Sequence, residues 1–167
     1  PPARVVPDLP YLPMVRQMRD AGWVDLSNAS GTLSLPGGTV SLLGTDDAHI
    51  FRDRMVAPAS SWEEPRALRL GITHAPYTRV VSALTSEGAD LILAGHTHGG
   101  QIGIPGMGAI ITNCDIARHY AKGLNRWEAP DGSQAWLHVS AGLGTSPHAK
   151  VRIATRPEAS LIHVHPA

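Results

Sequence analysis

One cysteine, Cys114, in a chain of 167 residues excludes an internal disulfide and any zinc site built from several cysteines. No apolar run approaches the ~18 residues that mark a membrane-spanning helix, and no leader-like segment opens the chain. Neither sign of charge dominates, since 14 basic and 14 acidic side chains cancel. A nucleic-acid surface would show as a basic excess or stripe, so none is expected. What remains is a soluble globular chain, 43% hydrophobic and 17% charged, long enough for one domain with a real core. The cytoplasm is its expected location.

Histidine is what the chain has in quantity. There are nine, a count that favours metal chemistry, because a neutral imidazole offers a free ring nitrogen near pH 7. Two of them close the stretch around which the chain is organised, Leu91-Ile92-Leu93-Ala94-Gly95-His96-Thr97-His98-Gly99-Gly100-Gln101. Four apolar residues predict a short buried strand. The glycines predict a sharp turn that a ligand can approach closely.

The preceding pattern fixes where that loop lies. Residues 67–72 read as a strand that delivers His74 at its end. Residues 77–87 place Val80, Val81 and Leu84 on one helical face, with Gly88 as the stop. Residues 90–94 are the next strand. Strand, helix, strand with short connections is a βαβ unit with parallel strands. Both strands then end on one edge of the sheet, which brings His74 to His96 and His98 across 22 positions of sequence. Ligand sites of open α/β sheets lie at that edge.

Elsewhere the pattern predicts a helix over 11–21, a strand over 23–27 and a hairpin over 34–44 turning at Pro36-Gly37-Gly38. Residues 51–66 read as a surface loop and 102–108 as a glycine-rich loop. Further strands are expected over 109–112, 120–127, 135–139, 150–154 and 160–164, as antiparallel additions to the βαβ unit. Asp131-Gly132 is a hairpin signal. Thr45-Asp46-Asp47-Ala48-His49 reads either as a polar loop facing the site or as a solvated turn. His49, His119, His138, His148, His163 and His165 are read as surface or half-buried residues, and Cys114 as a small buried apolar one.

Gly95-His96-Thr97-His98-Gly99-Gly100-Gln101 resembles the last metal motif of the calcineurin-like metallophosphoesterases, a Gly-His-x-His block. Gly71-Ile72-Thr73-His74-Ala75-Pro76 resembles the block before it, a strand ending in a metal-binding histidine. Val139-Ser140-Ala141-Gly142-Leu143-Gly144-Thr145-Ser146 resembles the segment that follows in the small bacterial phosphoesterase subfamily, which often carries an Asp-Asp segment as well. The likeness runs from about residue 42 onward.

That resemblance implies the C-terminal portion of an αββα sandwich, with this chain supplying chiefly one sheet. It implies hydrolysis of phosphomonoesters or phosphodiesters at two divalent ions (manganese, iron or zinc), which activate water and clamp the reacting oxygens. His74 and His96 would bind one ion and His98 the other. Asp46, Asp47 and Gly99 are candidate substrate contacts. The earlier blocks of the family, Asp-x-His, Gly-Asp-x-x-Asp and Gly-Asn-His-Asp, are expected before Pro1, and the last two have no match in this sequence. The proline-rich opening over 1–10 reads as a linker or chain interior. The expectation is therefore the C-terminal part of one longer domain, 1–167, inactive alone and needing its N-terminal half. An isolated half would tend to self-associate through its uncovered sheet face.

Other readings remain beside this one. His74 reads equally as a strand-end histidine bonded to a backbone carbonyl, and His96 and His98 have the lesser alternative of loop histidines that bind nothing. The segment 142–146 is preferred as a turn over a phosphate-contacting loop. A non-catalytic binding module on the same fold is the main alternative. A cupin-like barrel would need a glutamate shortly after the second histidine, and residues 99–108 contain none.

Overall fold

The computed structural model describes residues 10–65, 67–146 and 150–165. The expected linker lies outside them, apart from Pro10, as does His148. The architecture is mixed α/β. One six-stranded sheet has the order β1-β2-β3-β4-β8-β7. Its strands are β1 (Ala29–Leu35), β2 (Gly38–Gly44), β3 (Leu68–Ile72), β4 (Leu91–Ala94), β7 (Gly123–Glu128) and β8 (Gln134–Val139). A two-stranded ribbon, β5 (Gly103–Ile104) and β6 (Gly108–Ala109), stands apart from it. The helices are α1 (Leu12–Asp20) and α2 (Thr78–Ser86).

The four inner strands, β2, β3, β4 and β8, are mutually parallel. Hairpin arms β1 and β7 run antiparallel at the two edges. The βαβ unit β3-α2-β4 forms as the periodicity predicts. The expected antiparallel second half forms in part: the β5–β6 ribbon and the β7–β8 hairpin are antiparallel, but β8 pairs parallel with β4. The reason is the β7–β8 hairpin. Its turn, where Gly132 takes φ +86°, returns the chain along β4 rather than against it.

Other expected strands are absent. Residues 23–27 are irregular. Their place is over Gly31 and Gly44, where the Leu26 backbone leaves no room for a Cβ on Gly44. Residues 109–112 form a strand only at Ala109. Residues 150–154 and 160–164 are also irregular, and an isolated bridge between Ile102 and Ile153 is all the pairing recorded for them. Within 150–154 the Arg152 guanidinium turns onto the carbonyls of His98, Ala141 and Gly142.

Alternation along the strands fixes two faces. The lateral row Leu43, Gly71, Ile92 and Leu137 faces α2. Gly71 has no Cβ because one would press on Ile92 and Leu84 at 3.2 and 3.3 Å. Val81, Leu84, Ile92 and Leu137 are fully buried here. Two tryptophans hold α2 in place: Trp62 donates to the Glu87 carbonyl at 2.8 Å, and Trp127 to Ser82 Oγ at 3.3 Å. Trp62 lies in a 3-10 turn (Ser60–Glu63) within the expected loop, and the turn packs against the sheet through a Thr32–Ser61–Ser41 hydroxyl chain.

The opposite face carries the neighbouring rows, Leu42-Leu70-Leu91-Trp136 and Ile72-Leu93-His138-Leu124. It is covered at the β1–β2 end and open at the other, where Trp136 is 43% and Leu124 52% exposed. Helix α1 buries none of its residues. No helix among the described residues is long and apolar enough to cross a membrane.

Candidate metal centre

Because the four inner strands are parallel, four loops leave the same edge of the sheet. They start at Thr45, Thr73, Gly95 and Ser140. The ladder continues past the strands. Thr45 N donates to Ile72 O at 3.1 Å, Thr73 N to Leu93 O at 3.1 Å, and Ser140 N to Ala94 O at 2.8 Å. Gly95 N then donates to His74 O at 2.9 Å. That bond draws the residues after β3 against those after β4.

The two histidines meet as a consequence. His96 Nδ1 lies 3.2 Å from His74 Nε2, and the rings cross edge to face. The far nitrogen of His96, Nε2, is 3.2 Å from the Asn113 carbonyl. The Asn113 side-chain amide nitrogen lies 3.3 Å from the same Nε2, so Asn113 offers that nitrogen both an acceptor and a donor, while Nδ1 faces His74. A ligating histidine is usually fixed by a partner on its other ring nitrogen.

Burial pushes the His96 imidazole below its ordinary pKa. The Asn113 carbonyl opposes the shift, and the nearby His74 and His49 add to it. A neutral imidazole is the form that binds metal. The sign for stability follows from linkage. With the folded pKa lowered, the unfolded chain takes up the proton first as the pH falls. His96 therefore adds nothing above about pH 7 and weakens the fold increasingly below about pH 6.5. A His96→Asn chain should show a shallower loss of thermal midpoint than the parent between pH 7 and 5; equal slopes would contradict the shift.

The loop that carries these residues is strained. His96, His98 and Gln101 take φ of +66°, +50° and +40°, in the left-handed region that non-glycine residues seldom adopt. Each such residue costs on the order of 1–3 kcal/mol and persists only where its surroundings over-determine it. Thr97 supplies part of that. It is buried, donates to the Ala121 carbonyl at 2.6 Å and accepts from Gly99 N at 3.2 Å. Gly99 and Gly100 have no space for a side chain, against Thr155 and Ala109 respectively.

His98 is held elsewhere, with Nδ1 3.3 Å from the Gly144 carbonyl. The structure thus brings His74 and His96 together and sets His98 apart, against the loop after β8. Arg152 organises that side. Its guanidinium donates to the carbonyls of His98 (3.0 Å), Ala141 (2.7 Å) and Gly142 (3.0 Å), and also to Gly144. Segment 142–146 is a turn whose carbonyls point inward at this cation.

Asp46 and Asp47 lie at the same sheet edge, with both carboxylates engaged. Asp46 pairs with Arg52 at 3.0 Å and accepts from Asp47 N at 2.7 Å. Asp47 caps a 3-10 turn (Ala48–Ile50) by accepting from His49 N at 2.8 Å. Sequence reasoning missed His49, whose ring centroid is 4.6 Å from that of His96. The signal was available: His49 follows the end of a strand parallel to those that deliver His74 and His96. Asn113, which meets His96 Nε2 from φ +58°, had no such signal. Cys114 is half-buried, and burial pushes its thiol pKa up, as expected of an inert packing residue.

Two nitrogens bound at 2.0–2.1 Å to one tetrahedral zinc stand about 3.4 Å apart. The 3.2 Å approach of His74 Nε2 and His96 Nδ1 fits a shared ion. Among the described residues no three His, Cys, Asp or Glu side chains group so as to hold a metal.

Relatives agree with that chemistry. The chain is 28% identical over 147 residues to phosphodiesterase YaeI of Escherichia coli (strain K12), a match covering 88% of this chain and 49% of the relative. It is 27% identical over 145 residues to the uncharacterized metallophosphoesterase YkoQ of Bacillus subtilis (strain 168), covering 86% and 50%. Over most of its length the chain is similar to proteins named as a phosphodiesterase and a metallophosphoesterase. It spans about half the length of these curated relatives. A third relative, the uncharacterized protein YpbG of Bacillus subtilis (strain 168), is 33% identical over 81 residues, 48% of this chain and 30% of its own. No family model matches the chain, and no solved structure matches it significantly. The α/β sheet with its histidines at one edge is a metallophosphoesterase-like arrangement.

Proposed function

We propose that this chain is the C-terminal part of a phosphoester hydrolase, and that His74 and His96 hold one divalent ion of a two-metal centre. One observation carries the reading: two imidazole nitrogens converge at 3.2 Å where parallel strands end, one of them on a ring whose far nitrogen is held by Asn113. His98 serves the second ion. Bound metal would supply a lowered water pKa and charge neutralisation on the phosphoryl oxygens. The chain's own residues orient the ligands: Asn113 fixes His96, Thr97 shapes the loop, and Arg152 seats the His98 segment. Asp46 and Asp47 build the loop beside the ions, and Gly99, packed against Thr155 and Ala141, shapes the segment that carries His98 instead of meeting substrate. Oxygen ligands come from an N-terminal half that packs on the open face bearing Leu124 and Trp136. The metals suited to such mixed nitrogen and oxygen ligands are manganese, iron and zinc.

The test is hydrolysis of bis(p-nitrophenyl) phosphate in manganese, by this chain and by the chain extended to the length of its relatives. Turnover is expected only from the extended protein. Turnover by the shorter chain, lost in His96→Asn, would overturn the split-site reading. Without its other half, the chain should self-associate through the open face, as sedimentation would report.

A further inference from the structure

We propose that His49 is a positioning residue of this centre: seated by Tyr77, it buttresses the ring of His96 and so holds Nδ1 toward His74. The proposal rests on the metal reading above for its consequence, and on geometry for its substance.

The turn that carries His49 is built, not loose. Asp47 caps its start, and the Arg52–Asp46 pair closes it behind. Arg79, in the first turn of α2, donates to the Ala48 carbonyl at 3.0 Å and to Asp53 Oδ1 at 2.8 Å. The Arg79 guanidinium also lies over the rings of Tyr77 and Phe51, 5.4 and 5.5 Å from their centroids. Ala48 is fully buried beneath. Tyr77, just before α2, places its hydroxyl 3.0 Å from His49 Nδ1. So many fixed partners around an exposed turn have one visible product, an imidazole delivered to His96.

The position of His96 shows why a buttress is needed. Its backbone is in the left-handed region, and its Nε2 bond runs to Asn113, which is itself left-handed at φ +58°. Rotation of the ring about Cβ–Cγ would put Cδ2 where Nδ1 stands and turn that nitrogen away from His74. The His49 ring, 4.6 Å away and tilted by 44°, and the His74 ring, 5.1 Å away and edge-on, bound that rotation.

The experiment uses the full chain with His49→Ala, His49→Phe and Tyr77→Phe. The readouts are the His96 tautomer in metal-free protein, by long-range proton–nitrogen NMR, and zinc affinity by competition with a chromophoric chelator. His49→Ala should mix the His96 tautomers and weaken zinc binding about 10-fold, the lower range for a residue that orients a ligand. His49→Phe restores a ring face and should recover most of both losses. Tyr77→Phe should produce a smaller loss. Unchanged tautomer and affinity in His49→Ala would overturn the proposal. Weaker zinc with an unchanged tautomer would overturn it too, making His49 itself a ligand. If the parent chain binds no zinc yet His49→Ala mixes the tautomers, the positioning role stands and the metal reading fails. Should His49→Ala not fold, an altered tautomer in Tyr77→Phe with a native tautomer in His49→Phe supports the proposal, and native tautomers in both overturn it.

Discussion

Replacing His96 by asparagine is expected to remove metal binding from the β3–β4 edge while leaving the fold intact. Asparagine adopts positive φ more readily than other non-glycine residues, so the loop backbone at φ +66° tolerates it. What is lost is Nδ1 itself, and with it the convergence on His74. Residues that merely orient a ligand cost roughly 10–100-fold in affinity or activity when removed. Loss of the ligand itself should exceed that, so phosphodiester turnover by the extended protein should fall by more than about 100-fold. Circular dichroism and the thermal midpoint should stay near those of the parent. A variant that retains full metal affinity would remove His96 from the centre.

The second large effect is expected at Arg152. Its guanidinium serves four backbone carbonyls, from two loops that would otherwise separate. Hydrogen bonds to a charged donor contribute about 1.5–3 kcal/mol each, but four on one half-buried group do not add, and water would reach some of the freed carbonyls. Arg152→Ala should therefore destabilise the chain by roughly 2–4 kcal/mol, a fall in midpoint on the order of 10 °C for a domain of this size. Lysine keeps the charge without the planar fork and should recover less than half. Amide exchange should accelerate over 97–101 and 141–144 and change little in β3. Uniform acceleration would mean that Arg152 supports the core rather than this edge.

The βαβ unit was legible because helix and strand periods alternate cleanly between 67 and 94, with Gly88 at the break. From that unit alone the meeting of His74 and His96 followed. The role of β8 was not legible, since a strand looks the same in sequence whether it runs parallel or antiparallel to its neighbour. That choice was made by the 129–133 turn and by pairing with β4. Residues 150–154 misled for another reason. Val151 and Ile153 alternate with Lys150 and Arg152 as a strand would, but Arg152 turns inward onto carbonyls instead of outward to solvent. His49 was passed over because its neighbours read as turn formers. They are turn formers, and the turn is what aims the imidazole.

The most direct measurement is metal content by mass spectrometry, on this chain and on the chain extended to the length of its relatives, each purified without chelators. Two metals per extended chain, with at most a weakly held fraction on this chain and none after His96→Asn, is the predicted result. An extended chain that carries no metal would contradict the account, and the Gly-His-Thr-His loop would then belong to a binding module.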